Sequence, residues 1–347
     1  MKGVSCRWLV LGGAALILLP FALELLLGNG WVRIVDFALL YVLLALGLNI
    51  VVGYAGLLDL GYVAFFAVGA YVYALLNSPQ WGLHWPIWIA LPAGALLAAC
   101  FGVLLGAPTL KLRGDYLAIV TLGFGEIIRI FLNNLDSPIN ITNGPQGIEL
   151  IDSLHFGSLS LGQMHHVLGL RIPAVVNVYY LFLVVVVLGM VFSHRLERSR
   201  IGRAWAAIRE DEVAAASMGL NTRNLKLLAF AMGASFGGLS GGLFAGFQGF
   251  VSPESFTLQE SVMILCMVVL GGMGHIAGVV LGAMLLAILP EALRAAGDWE
   301  QMVFGRIWVD PSNLRLLLFG MALVLMMLRR PGGLWPSNAR RNELQGQ

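Results

Sequence analysis

Charge is scarce in this sequence. Asp, Glu, Lys and Arg make up 12% of its 347 residues, against about 25% in an ordinary soluble domain, while hydrophobic residues reach 59%. A chain this apolar cannot cover itself with polar surface in water, so lipid must be the solvent for much of it. The formal net charge of +2 creates no field that would gather a nucleic acid. Cysteine is scarce as well. Cys6, Cys100 and Cys266 are far apart, form no CxxC pair and have no metal-ligand spacing, so they read as buried small hydrophobes.

Catalytic motifs are also missing. No GxxxxGK[ST] loop occurs, so nucleotide is not hydrolysed here through that motif, and no HExxH occurs among the six histidines. Two GxSxG matches, around Ser235 and Ser240, fall inside an apolar helical run rather than on the strand-to-helix turn that a nucleophile elbow requires. Lys2 and Arg7 precede an apolar run as they would in a signal peptide. Residues 8–27 are long enough to span, however, and no small-x-small cleavage site follows, so an uncleaved first span is expected.

What the sequence does have is apolar runs near the roughly 20 residues that a helix needs to cross a bilayer. They lie at 8–27, 32–52, 54–76, 87–107, 116–133, 174–193, 225–247, 260–272, 275–290 and 313–329. The eighth and ninth are short and divided by a glycine cluster, which gives eight to ten spans. Backbone groups in lipid must be satisfied internally, so these runs are helices. The expected fold is an all-α integral membrane bundle, a single transmembrane domain over 1–347. It would carry an extracytoplasmic loop at 134–173 and a cytoplasmic loop at 194–226.

Orientation follows from Lys and Arg in short loops. Arg195, Arg198, Arg200, Arg203, Arg209, Arg223 and Lys226 crowd one loop, Lys111 and Arg113 another, and Arg329, Arg330, Arg340 and Arg341 follow the last span. The 134–173 loop holds Asp136, Glu149 and Asp152 against Arg171. The 291–312 loop holds Glu291, Asp298, Glu300 and Asp310 against Arg294 and Arg306. Ten crossings put every basic loop on one side, with both termini cytoplasmic. Trp31, Trp81, Trp85, Trp299 and Trp308 then fall at the outer ends of spans, where indole rings favour the interface.

Glycine is patterned. Gly233, Gly237 and Gly241 repeat at four-residue spacing, as do Gly238, Gly242 and Gly246, which marks the seventh span as a packing helix. Two further glycine-rich interruptions contain Gly53 and Gly56, and Gly271, Gly272 and Gly274. Paired interruptions in the two halves of a transporter point to broken helices around a substrate path, and ordinary helix packing is the competing reading. Asp59 either caps a helix start or faces a water-filled cavity. Glu126 and Arg129 share a helical face inside a span, as a structural ion pair or as part of a gate. The candidate path or gating residues are therefore Gly53, Gly56, Asp59, Glu126, Arg129, Gly271, Gly272 and Gly274. Asp36 and Glu24 lie close enough to span ends to reach the interface. No metal-ligand set stands out.

The most informative segment lies outside the membrane. Residues 199–219 are rich in alanine and arginine, both helix formers, and Gly219 can end the helix in a left-handed cap. Carried on a loop of about thirty residues, such a helix is usually functional. Small side chains let it seat in a groove on another protein, with Arg209, Glu210 and Asp211 setting register at the rim. A solvated charged loop is the competing reading. Gly202, Arg203, Trp205, Arg209, Glu210, Asp211, Ala214 and Gly219 are the candidate coupling residues.

That segment resembles the coupling loop of ABC-importer permeases, the glycine-containing "EAA" region that docks on the ATPase. Other stretches resemble the LivM family of high-affinity branched-chain amino-acid permeases: LNIVVGYAG at 48–56, LRGDYLAIVTLGFGEIIR at 112–129, NGPQGI at 143–148, GRAWAAIREDE at 202–212, QGFVSPESF at 248–256 and VVLGGMG at 268–274. The likeness runs from about residue 35 to RPGGLW at 330–335, and the 149–173 loop is its least family-like part. The resemblance implies a bacterial inner-membrane permease subunit that binds no cofactor itself. ATP would be hydrolysed by two ABC ATPase subunits. A second, related permease would complete the pore, and a periplasmic substrate-binding protein would deliver leucine, isoleucine or valine. Related systems carry other amino acids, urea or short amides. The competing classes are a stand-alone transporter coupled to protons through Glu126 or Asp59, and a non-transporting membrane scaffold.

Overall fold

The computed structural model describes residues 16–304 except 26–27, 110–111, 113, 138–139, 157–158, 164 and 168–169, together with 317, 320–321, 324–326, 328–329 and 332–335. The chain is helical. A short α1 (Leu16–Leu25) precedes α2 (Asn29–Leu48), which runs on through a π-helical turn, Asn49–Tyr54. There follow α3 (Val63–Leu76), α4 (Ile87–Thr109), α5 (Asp115–Asn133), α6 (Ala174–Glu197), α7 (Arg200–Glu210), α8 (Glu212–Ser217), α9 (Thr222–Gln248), α10 (Leu258–Gly271) and α11 (Ile276–Phe304). Among the described residues six helices are long and apolar enough to cross a membrane: Asn29–Tyr54, Ile87–Thr109, Ala174–Glu197, Thr222–Gln248, Pro253–Gly271 and Ile276–Ala295. α1 and α3 are apolar but shorter, and α5 carries Asp115, Glu126 and Arg129. The expected last span at 313–329 lies mostly outside the described residues, as do Lys111 and Arg113; Leu317, Met321 and Val324 within it are helical.

α9 is the hub. Its glycine stripe brings backbones together as its spacing predicts. A Cβ on Gly69 of α3 would fall 2.0 Å from the Gly238 carbonyl, and a Cβ on Gly238 would fall 2.6 Å from the Gly94 carbonyl of α4. Where lipid gives no hydrophobic drive between helices, such close packing is what holds a bundle. The two GxSxG serines are absorbed by the same helix, Ser235 Oγ donating to the Met232 carbonyl and Ser240 Oγ to the Phe236 carbonyl. Around α9, Phe66, Phe244 and Phe256 form a ring cluster with centroids 5.2–6.2 Å apart. α10 and α11 form an antiparallel hairpin, with Gly271 against Gly278 and Gly282 against the Met267 carbonyl.

The molecule has two ends. One gathers the π turn, α7, α8 and the turn between α10 and α11. The other gathers the 134–156 segment, which bridges Ile148 to Val251, and two small antiparallel hairpins, β1 (His155–Phe156) with β2 (Leu159–Ser160) and β3 (His165–Val167) with β4 (Leu170–Ile172). These strands are the one departure from the all-helical expectation among the described residues, confined to the outer loop.

Two expectations are corrected. Asp36 does not reach the interface: it is fully buried on α2, and neither carboxyl oxygen has a hydrogen-bond partner among the described residues. The tight packing of α2 against α6, α9 and α11 seals it in. Cys266 is buried, but Cys100 is exposed on a face of α4 shared with Leu96, Leu97, Val103 and Leu104, an apolar stripe suited to lipid.

Candidate functional site

The expected single helix over 202–219 is two. Ser199 caps α7, its Oγ accepting the Gly202 N–H at 3.1 Å. Asp211 then leaves helical geometry at φ −152° and caps α8, accepting the Val213 and Ala214 N–H groups at 2.8 and 3.0 Å. Asp can compete with the helix for backbone donors in this way, which is why α7 stops at Glu210. Gly219, at φ +85°, closes α8 as expected.

The eight coupling residues divide between two faces. Gly202 is buried at the corner from α6, where a Cβ would fall 2.4 Å from the carbonyls of Leu196 and Glu197. Trp205 is fully buried, and its indole N–H donates to the Leu225 carbonyl of α9 at 2.7 Å. Arg209 turns inward too, so it does not sit on the rim where the sequence reading placed it. Trp205 and Ile208, three residues apart, define the buried stripe of α7, and Arg209 lies beside it. Arg203, Glu210, Asp211, Ala214 and Gly219 are exposed, with Val213 at 63% and Met218 at 85%. Lys226, read from sequence as a loop charge, is buried and paired with Glu212 of α8 at 2.6 Å. α7 and α8 are thus pinned to α9 by an indole and an ion pair, and to α6 by a tight corner.

Arg209 reaches the first glycine interruption. Its Nη1 donates to the Gly53 carbonyl at 2.7 Å, and a Cβ on Gly56 (φ +70°) would fall 2.7 Å from its Cγ. The last carbonyls of a helix have no N–H partner within it, and a cation there is favoured by the helix dipole. The second glycine interruption meets the first. Asn49 Oδ1 accepts the Gly274 N–H at 2.8 Å, and a Cβ on Gly53 would fall 2.7 Å from the same nitrogen. Gly271 and Gly272 lie under the tail, where Leu334 N–H donates to the Leu270 carbonyl at 2.8 Å and Trp335 N–H to Gly271 at 3.1 Å. The Trp335 ring stacks on His275, 5.9 Å between centroids. Sequence reading missed Asn49. The available signal was a lone amide inside a long apolar run.

Asp59 is fully buried; its Oδ1 accepts the Gly61 N–H at 2.9 Å in the turn ahead of α3, which takes no side-chain cap from its N-cap residue, and its Oδ2 has no partner among the described residues. Leu60 N–H donates to Thr121 Oγ1 of α5 at 3.0 Å, and Gly61 lies against the Thr121 backbone. The irregular stretch between the π turn and α3 is thereby covered by protein, the condition for such backbone at membrane depth. Glu126 and Arg129 are elsewhere. Arg129 Nε donates to Glu126 at 3.0 Å and its Nη1 to Glu254 at 3.3 Å, towards the opposite end. Glu126 lines a narrow cleft with Leu60, Val63, Leu122, Gly125, Phe256 and Leu258.

The helix pair is thus anchored on one side, exposed on the other and joined through Arg209 to the glycine interruptions. The chain matches the family described as "Branched-chain amino acid transport system / permease component" over residues 31–327. It belongs to this family. It is 45% identical over 335 residues to the high-affinity branched-chain amino acid transport system permease protein LivM of Escherichia coli (strain K12), covering 93% of this chain and 74% of that protein. It is 27% identical over 330 residues to a probable branched-chain amino acid transport permease protein LivM of Methanocaldococcus jannaschii, covering 86% and 90%. It is also 26% identical over 262 residues to the LivH permease protein of Escherichia coli (strain K12), covering 74% and 82%. No solved structure matches the chain. The matched span runs from α2 into the last apolar run, so the helix pair, both glycine interruptions and the Glu126–Arg129 pair all lie within the family region. The chain is a permease component and a multi-pass membrane protein.

Proposed function

We propose that this chain is one of two related membrane subunits of an ABC importer that carries leucine, isoleucine and valine across the bacterial inner membrane. Two separate ATPase subunits supply the energy, a second permease resembling LivH completes the pore, and a periplasmic binding protein delivers ligand. The observation that carries the reading is the exposed edge of α8. Val213, Ala214, Met218 and Gly219 face outward on a helix pair whose other side is locked to α9. An edge of small and apolar side chains seats in a groove on a partner, and its anchoring lets a push on it reach the bundle.

With the α7–α8 end facing the cytoplasm, the basic 194–226 loop and the 332–335 segment share the inner side and Asp152 and Glu254 the outer one. The distribution of Lys and Arg in the sequence supports cytoplasmic termini as well. The stand-alone proton-coupled alternative has less support at Glu126, which is engaged by Arg129. Proteoliposomes holding this chain, a LivH-like permease and two ATPases should take up labelled leucine only with ATP and a leucine-loaded binding protein. Uptake by this chain alone under a proton gradient would refute the reading.

A further inference from the structure

The spans of an importer must respond to ATPases that touch only the cytoplasmic edge. Resting on the importer reading, we infer that Arg209 is the residue through which movement of α7–α8 is delivered to the two glycine interruptions inside the bundle. It is a positioning residue, acting through backbone and touching neither ligand nor nucleotide.

The geometry is a short chain of contacts without slack. The Arg209 guanidinium holds the Gly53 carbonyl, and its stem lies where a Gly56 side chain would be. Gly53 sits directly on the Gly274 nitrogen, and Asn49 Oδ1 holds the same N–H. Moving α7 therefore moves the Gly53 peptide, and the Gly53 peptide cannot move without displacing the turn between α10 and α11. Between the Arg209 guanidinium and the α10–α11 turn the contact is short, Gly53 lying against the Gly274 nitrogen and the Asn49 amide. The element that yields is the π turn Asn49–Tyr54, a helical form seldom longer than one turn and frequent at functional sites. Loss of the Arg209 contact would leave α7 and α8 tied to α9 and no longer tied to the glycine interruptions.

The test uses the complete transporter in proteoliposomes, measuring leucine uptake, ATP hydrolysis and co-purification of the ATPases. Arg209→Ala should lower uptake per ATP hydrolysed by about tenfold, within the usual range of coupling between sites. Arg209→Gln, whose amide can still donate to Gly53, should recover part of it. Gly56→Ala, which pushes the Arg209 stem away, should also uncouple, and adding it to Arg209→Ala should cost no more than Arg209→Ala alone, as residues acting through one contact do not add. Unchanged uptake per ATP in Arg209→Ala, or full additivity with Gly56→Ala, would overturn the inference. If Arg209→Ala failed to assemble, Arg209→Gln must assemble and transport better than Arg209→Leu; equal performance would also overturn it. Failure of the unaltered chain to bind ATPases would instead sink the importer reading.

Discussion

Single side chains carry three separate commitments. Trp205 fills a sealed site and spends its N–H on Leu225, so Trp205→Phe should lose about 0.5–1.5 kcal/mol of stability for the hydrogen bond and more for the space the smaller ring leaves. A drop in thermal midpoint in detergent, with no change for Arg203→Ala, would register it. Lys226 and Glu212 are unequally buried, with side-chain exposures of 6% and 28%. Removing the wetter partner strands the buried ammonium, so Glu212→Ala should destabilise more than Lys226→Met, which takes the charge out with the burial. The reverse order would mean that Glu212 is the member needing the pair. Asp36 is buried without a hydrogen-bond partner among the described residues, so Asp36→Leu should raise the midpoint. A lower midpoint would reveal that the carboxyl has a partner the fold needs.

At the level of elements, the helices were legible because lipid enforces length and apolarity together, and the α9 stripe because glycine spacing has few other uses in a membrane. Substituting Gly238→Val should therefore prevent α3, α4 and α9 from closing, seen as loss of monodisperse protein after extraction, since its Cβ would meet Gly94 and Ala98. The break between α7 and α8 was hidden. Asp211 sits among helix formers, and only the capping of Val213 and Ala214 decides for two helices. The facing of Arg209 was hidden for a related reason. An arginine on an amphipathic helix reads as solvated, and nothing local shows that a helix-end carbonyl waits on another element. Asn49 and Asp36 failed to speak for the opposite reason, as lone polar residues whose partners, or lack of them, depend on the packing of distant helices.

In the proposed importer the whole molecule divides labour between two ends: the α7–α8 end would receive force from the ATPases, and the other, carrying the acidic loop and its hairpins, would meet the ligand. On this view Ala214→Trp on the exposed edge of α8 should abolish ATPase co-purification and leave membrane insertion intact, whereas Glu149→Ala at the far end should leave co-purification unchanged. The reach of the ATPases to α8 can be read most directly from sidedness. Ser217→Cys would be placed in a chain lacking Cys6, Cys100 and Cys266, and sealed spheroplasts and inverted vesicles would be treated with a membrane-impermeant maleimide. The account predicts labelling in inverted vesicles, blocked when the ATPases are bound, and none in spheroplasts. Labelling in intact spheroplasts would contradict it.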